Sequence, residues 1–232
     1  MSEDRLIDVN KVLSKKAKGK KVPGFLVGLI KRFIHQDFLN SIIAKSGDGV
    51  DFCTDTIREL NVQLTVRGLE NVPDDGTLYT FASNHPLGGV DGVALASIVG
   101  QKFGDVRLLV NDFLMFIKPL APLCVPINVQ GSQSRNLPQM IDGAFGSHKQ
   151  MIIFPAGLCS RKIDGVIQDR AWTKTFIVKS KESKRAIVPV HFIGRNSKFT
   201  VIFGKPIPAE TFDNSRTPLE WASVVRKTVY EL

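Results

Sequence analysis

His85 and Asp91 are the residues of this chain whose types and spacing suit them to move a proton. An imidazole takes up a proton near neutral pH, and a carboxylate beside it fixes the tautomer and steadies the imidazolium that forms. Both lie in the run Asn84-His85-Pro86-Leu87-Gly88-Gly89-Val90-Asp91-Gly92, directly behind an apolar strand candidate at 77–83 (TLYTFAS). Pro86 stiffens the exit from that strand, and the glycine pair lets the backbone double back so that the carboxylate can meet the ring. The same residues are also ordinary turn vocabulary, with His85 merely capping a helix, so spacing alone leaves both readings open.

A second stretch favours the chemical reading. Residues 151–155 (MIIFP) read as a buried strand running into Ala156-Gly157-Leu158-Cys159-Ser160-Arg161-Lys162, a turn rich in donors. Gly131-Ser132-Gln133-Ser134-Arg135 opens an amphipathic segment before it, and Ile187-Val188-Pro189-Val190 follows it. With these residues in order, the chain resembles the phospholipid/glycerol acyltransferases, which esterify lysophosphatidic acid and related lysolipids. That family carries a His-x4-Asp block, a Gly-to-Arg block, a Phe-Pro-Glu-Gly block and a Val-Pro block. The counterparts here are His85 with Asp91, Gly131 with Arg135, Phe154-Pro155-Ala156-Gly157, and Val188-Pro189. Gly204-Lys205-Pro206-Ile207 is similar to the family's closing strand, and the resemblance runs from Leu64 to Pro208.

The resemblance implies roles. His85 is the expected general base on an acceptor hydroxyl, and Asp91 orients it and offsets its charge. Backbone N–H groups around Gly157 and Leu158 are the expected donors to a tetrahedral intermediate. Arg135 is expected to grip an anionic head group, with Arg161 and Lys162 as further candidates. The reaction implies no cofactor and no metal, only acyl-carrier-protein or acyl-CoA thioester as co-substrate and a lysolipid as acceptor. His35, His148 and His191 show no ligand spacing.

Two departures bear on the acceptor. The first block reads His-x5-Asp, one residue longer than the family pattern, and Ala156 stands where the family has glutamate. That glutamate is associated with the acceptor's polar head, so its absence argues against a simple glycerol-phosphate acceptor. The chain looks closest to a bacterial, hemolysin-like branch that includes enzymes acylating the lyso forms of ornithine and glycine lipids. Two rivals stand beside this reading. One is a cysteine-dependent acyl hydrolase built on Cys159, for which the Gly-x-Ser/Cys-x-Gly elbow is lacking. The other is a catalytically decayed membrane-binding protein, motivated by the same two departures.

Charge is unevenly spread. The net charge is +9, and residues 1–34 hold nine Lys/Arg against three Asp/Glu, so most of the surplus is N-terminal. Lys15, Lys16, Lys18, Lys20 and Lys21 precede an apolar run at 25–34 (FLVGLIKRFI) that is about half as long as a bilayer core demands. A short apolar segment with basic flanks suits an interfacial anchor on an anionic membrane surface. The expected location is the cytoplasmic face of the bacterial inner membrane. Nucleic acid is not the expected partner, because the basic cluster lacks interleaved aromatics and carries no recognition motif. The three cysteines are odd in number and widely spaced, which fits neither a disulfide framework nor a structural zinc site.

The elements that must hold the site follow from periodicity. Residues 1–60 read as a helical, basic, membrane-associating extension, with helices expected at 38–44 and 50–60. Residues 61–232 read as the acyltransferase domain. Strands are expected at 62–66, 78–82, 106–110, 125–129, 151–154, 187–192 and 198–203, and helices at 93–103, 136–146, 173–181 and 219–230. This alternation predicts an α/β fold with a mixed, mostly parallel sheet flanked by helices, and with His85 and Gly157 at strand ends. The apolar stretch 108–129 is rich enough to line an acyl slot, but such a run is more often plain core, and no residue in it is assigned to the site.

Overall fold

Segments rich in β-branched and aromatic residues form the sheet, because such side chains pack well on a pleated, buried surface. The computed structural model of the protein describes Leu6 and residues 36–127, 136–163, 165–195 and 197–232. The lysine cluster at 15–21, the apolar segment at 25–34 and the Gly131–Arg135 block lie outside the described residues. The main sheet comprises β1 (Gln63–Arg67), β2 (Tyr79–Ser83), β3 (Val106–Asn111), β4 (Cys124–Ile127), β5 (Gln150–Ile153), β8 (Ala186–Arg195) and β9 (Lys198–Phe203), in the order β1-β9-β8-β2-β5-β3-β4. A separate hairpin joins β6 (Arg161–Ile163) to β7 (Val166–Gln168). Every pairing in the main sheet is parallel except β8 with β9. The seven expected strands are all present, within two residues at each end apart from the far end of β8.

Parallel neighbours require crossovers, and helices supply them on both faces. The helices are α1 (Gln36–Lys45), α2 (Val50–Glu59), α3 (Gly89–Phe103), α4 (Leu137–Phe145), α5 (Thr175–Glu182) and α6 (Pro218–Tyr230). Strand alternation divides the core into two layers. On one face Tyr79, Phe81, Leu108, Ile152, Val188 and Val190 pack with α1, α2 and α3; on the other Ala82, Leu109, Met151, Ile153 and Ile187 pack with α4, α5 and α6. The helices at 36–59 therefore share the apolar cluster of the sheet through Ile42, Ile43, Phe52 and Cys53. No described helix is long and apolar enough to cross a membrane.

Arg185 is fully buried at the entry to β8. Its guanidinium donates to the carbonyls of Phe145 at 2.8 Å, Lys149 at 2.8 Å and Tyr79 at 3.3 Å, and also to that of Ser147. One side chain thus satisfies backbone acceptors from two separate segments, 145–149 and β2, which keeps those carbonyls from going unpaired. The stretch at 108–127 is divided among β3, two short 3-10 turns that bury Pro119, Leu120 and Leu123, and β4.

Two details differ from the periodicity reading. Helix α3 begins at Gly89 rather than Val93, which brings Asp91 into its first turn. The β6–β7 hairpin was not expected: its three-residue strands are largely exposed, so no burial imprints an alternating pattern on them.

Candidate active site

Strands β2 and β5 run parallel, so their C-terminal ends emerge side by side, where open α/β sheets gather their reactive groups. Past the end of β2, Asn84 is buried and its side-chain amide continues the sheet. Its Nδ2 donates to the Phe192 carbonyl at 2.9 Å, and its Oδ1 accepts the Phe192 N–H at 2.7 Å. This double bond to β8 fixes the point from which His85 departs. Past the end of β5, the ring of Phe154 stacks on the His85 imidazole with centroids 4.1 Å apart and 27° between planes.

The chain then turns into α3 through Gly88, whose φ of 82° is a left-handed value that a side chain would strain. The His-x5-Asp spacing passes through that turn. Asp91, at 0% exposure, faces back from the first helical turn, and its Oδ1 lies 3.1 Å from His85 Nδ1. At that distance the carboxylate and the ring nitrogen form a close, buried pair. The Asp91 carboxylate is otherwise satisfied by the Leu87 N–H at 2.9 Å and the Gly92 N–H at 3.1 Å. Its place at the start of a helix also suits a negative charge. Burial on its own lowers the basicity of His85, but the Asp91 carboxylate outweighs it, and with a smaller contribution from Cys159 the ring pKa is raised above its ordinary 6.5.

A second acid holds the histidine from behind. Asp169, 1% exposed, accepts the main-chain N–H of His85 at 3.2 Å through Oδ1. The same oxygen accepts the Ser160 hydroxyl at 2.5 Å, and Oδ2 accepts Trp172 Nε1 at 2.8 Å. Ser160 closes the loop by donating its N–H to the His85 carbonyl at 2.7 Å. Helix α6 braces the arrangement: Asp169 donates its N–H to Tyr230 Oη at 2.8 Å, and Arg226 donates to the Asp169 carbonyl at 2.7 Å. Ser160 and Asp169 flank the β6–β7 hairpin on either side, so that hairpin is rooted on the backbone of His85.

The residues singled out from sequence fall into three groups. His85, Asp91 and the Phe154–Leu158 turn come together at the strand ends. Gly157, with φ of 67°, donates its N–H to the Phe154 carbonyl at 2.9 Å. Of the two N–H groups, that of Leu158 is the one left without an acceptor among the described residues. Arg161 and Lys162 lie exposed on β6, one and two residues beyond Ser160. Arg135 lies outside the described residues. The Val188-Pro189 and Gly204 motifs meet directly, with Gly204 donating its N–H to the Pro189 carbonyl at 2.8 Å. A β-carbon at Gly204 would lie 2.8 Å from Pro189 Cγ, which explains the glycine there.

Asn84, Ser160, Asp169 and Trp172 were not picked out from sequence. They act by hydrogen-bonding to backbone and to one another across the fold, and such contacts leave no spacing pattern.

Known proteins resemble the chain in sequence and in fold. The profile of a protein family described as Acyltransferase matches residues 11–205. A "Lyso-glycine lipid O-acyltransferase" of Bacteroides thetaiotaomicron is 46% identical, over 100% of both chains. A protein of the same name from Phocaeicola vulgatus is 44% identical, over 98% of this chain and 95% of its own. Among solved structures, the 1-acyl-sn-glycerophosphate (LPA) acyltransferase PlsC of Thermotoga maritima superposes with a TM-score of 0.54 at 18% identity, covering 83% of this chain and 78% of its own. That last likeness is one of fold.

Proposed function

Because this chain belongs to the acyltransferase family, we propose that it transfers a fatty acyl group from a thioester to the hydroxyl of a lyso-glycine lipid. The pairing of His85 with the buried Asp91 at the strand ends carries the reading. With Nδ1 turned to Asp91, Nε2 is the ring nitrogen left for the acceptor hydroxyl. It takes the hydroxyl proton as the oxygen attacks the thioester carbonyl. The charge that develops on the carbonyl oxygen is met by backbone donors, with the Leu158 N–H foremost. Collapse of the tetrahedral intermediate breaks the C–S bond, and the imidazolium returns its proton to the departing thiolate, leaving an ester and a thiol. Asp91 holds the imidazole and compensates its transient charge, and Phe154 supports one face of the ring.

The acceptor follows from the relatives' printed activity and from the second departure. Ala156 removes an acidic neighbour from a turn that continues into Arg161 and Lys162, and that surrounding suits an anionic head group. Arg135 is the further residue proposed to grip it. The donor is acyl-carrier protein or acyl-CoA, and the chain needs no cofactor or metal for this route. The enzyme works peripherally on the cytoplasmic face of the membrane, with the basic, apolar N-terminal segment as its anchor.

The test is acyl transfer by the purified protein and by His85→Ala, with acyl-carrier-protein and CoA thioesters offered against lyso-glycine lipid, lyso-ornithine lipid and lysophosphatidic acid. Diacylated glycine lipid formed by the wild type and not by the variant is the expected outcome. Preference for lysophosphatidic acid would overturn the acceptor, and equal product from His85→Ala would overturn the base.

A further inference from the structure

Val166 and Ile167 are the most exposed large apolar side chains among the described residues, at 62% and 65%. They are adjacent on β7 and have no layer above them. Cross-strand pairing sets Val166 opposite Ile163 and Ile167 opposite Lys162, so apolar and basic groups alternate over a single two-stranded ribbon. Arg161 and Lys162 on β6 and Arg170 just beyond β7 are exposed as well. A two-stranded hairpin has little stability of its own in water, so an apolar tip on one is costly unless something covers it. Exposed apolar side chains with solvated cations beside them match the chemistry of an anionic lipid surface, where the former enter the acyl boundary and the latter meet the head groups.

The placement of this ribbon adds a mechanical argument. Ser160, immediately before β6, donates to the His85 carbonyl, and Asp169, immediately after β7, accepts the His85 N–H. The same two residues are bonded to each other. Whatever depth the hairpin takes up at a surface is therefore passed to the histidine with no flexible link between them.

We propose that the β6–β7 hairpin is an interfacial docking element that seats Val166 and Ile167 in an anionic lipid surface, with Arg161 and Lys162 at head-group level, and thereby holds His85 at the height of a membrane-borne acceptor. The proposal rests on the lysolipid reading for the acceptor, but its docking half stands apart from it.

The test compares the full chain with Val166→Asp/Ile167→Asp and with the milder Val166→Ser/Ile167→Ser. Binding is read by co-sedimentation with phosphatidylcholine vesicles with and without phosphatidylglycerol. Acyl transfer is read on lyso-glycine lipid held in those vesicles and on a short-chain, monodisperse analogue. Both pairs are solvent-exposed, and circular dichroism checks that the variants fold. The aspartate pair is expected to lower affinity for phosphatidylglycerol vesicles, and turnover on them, by at least about tenfold. Turnover of the monodisperse analogue is expected to hold, with the serine pair intermediate. Unchanged vesicle binding by the aspartate pair would overturn the proposal, as would an equal loss on both forms of substrate. Failure of the wild type to acylate lyso-glycine lipid in either form would instead strike the acceptor assignment, while the binding measurement still decides the docking.

Discussion

The main-chain N–H of His85 donates to the buried Asp169 carboxylate at 3.2 Å, while Asp91 faces the ring of the same histidine at 3.1 Å. Two acids thus act on one residue, one on its backbone and one on its imidazole. Their removal has different expected consequences.

Replacing Asp169 by Asn keeps the shape but turns an amide N–H₂ towards an obligate donor, either Trp172 Nε1 or the His85 main-chain N–H. The expected cost is about 1–3 kcal/mol of stability for each hydrogen bond left unmade. The variant should show a lower urea midpoint and a kcat that falls by more than the loss of folded protein explains, with KM little changed. A kcat that merely follows the folded fraction would reduce Asp169 to a packing role.

Replacing His85 by Ala removes the base and leaves the frame intact. Acyl transfer should fall by roughly 10²–10⁴-fold, the usual worth of a positioned base. The thermal midpoint should fall, because the ring's stacking on Phe154 and its pairing with the buried Asp91 are lost. The protein should stay folded through the main-chain bonds that remain at this position. Steady-state rates alongside a melting curve check both halves.

The pH profile should separate charge from burial at His85. The base must be neutral to accept a proton, and its pKa is raised above 6.5, so activity should climb with pH along a limb that lies above the range of a free histidine. In Asp91→Asn the raising charge is gone while burial, which lowers the pKa, remains. The limb should therefore move to lower pH even as the maximal rate drops. Rate profiles of the two proteins give the answer, and a limb at the same pH in both would mean that the ring does not feel Asp91.

Cys159 contributes a smaller push on the same imidazole, and it is the nucleophile of the rival hydrolase reading. Cys159→Ala should retain acyl transfer near the wild-type rate. Loss of all product, with the fold intact by circular dichroism, would revive that rival.

Arg185→Met should cost roughly 3–5 kcal/mol, since it strips a buried cation from four carbonyls that gain no other donor. Chemical denaturation measures this directly. A midpoint unchanged from the wild type would mean that water replaces the guanidinium.

Most of the scaffold was legible from sequence, and the reason is burial. Each strand of the main sheet except the exposed edge strand β1 is apolar enough to stand out, and the glycine pair after His85 announced a turn whose reversal brings Asp91 back to the ring. The hairpin escaped notice because exposure imposes no alternation on Arg161–Gln168. The Asn84 and Asp169 contacts escaped for another reason. They join a side chain to the backbone of a distant segment, as with Asn84 and Phe192, 108 positions apart, and nothing in either local sequence marks the partner.

That separation has a consequence for how reactivity arises. The contacts that hold His85 are drawn from β8, from the residues flanking the hairpin and from α6, the latest described element in the chain. No fragment containing only the His85–Asp91 run can reproduce them. Proton transfer at His85 is thus an all-or-none property, switched on by closure of long loops in the topology, whose entropy must be overcome before the site exists. Activity lost during denaturation should coincide with the global unfolding transition rather than precede it.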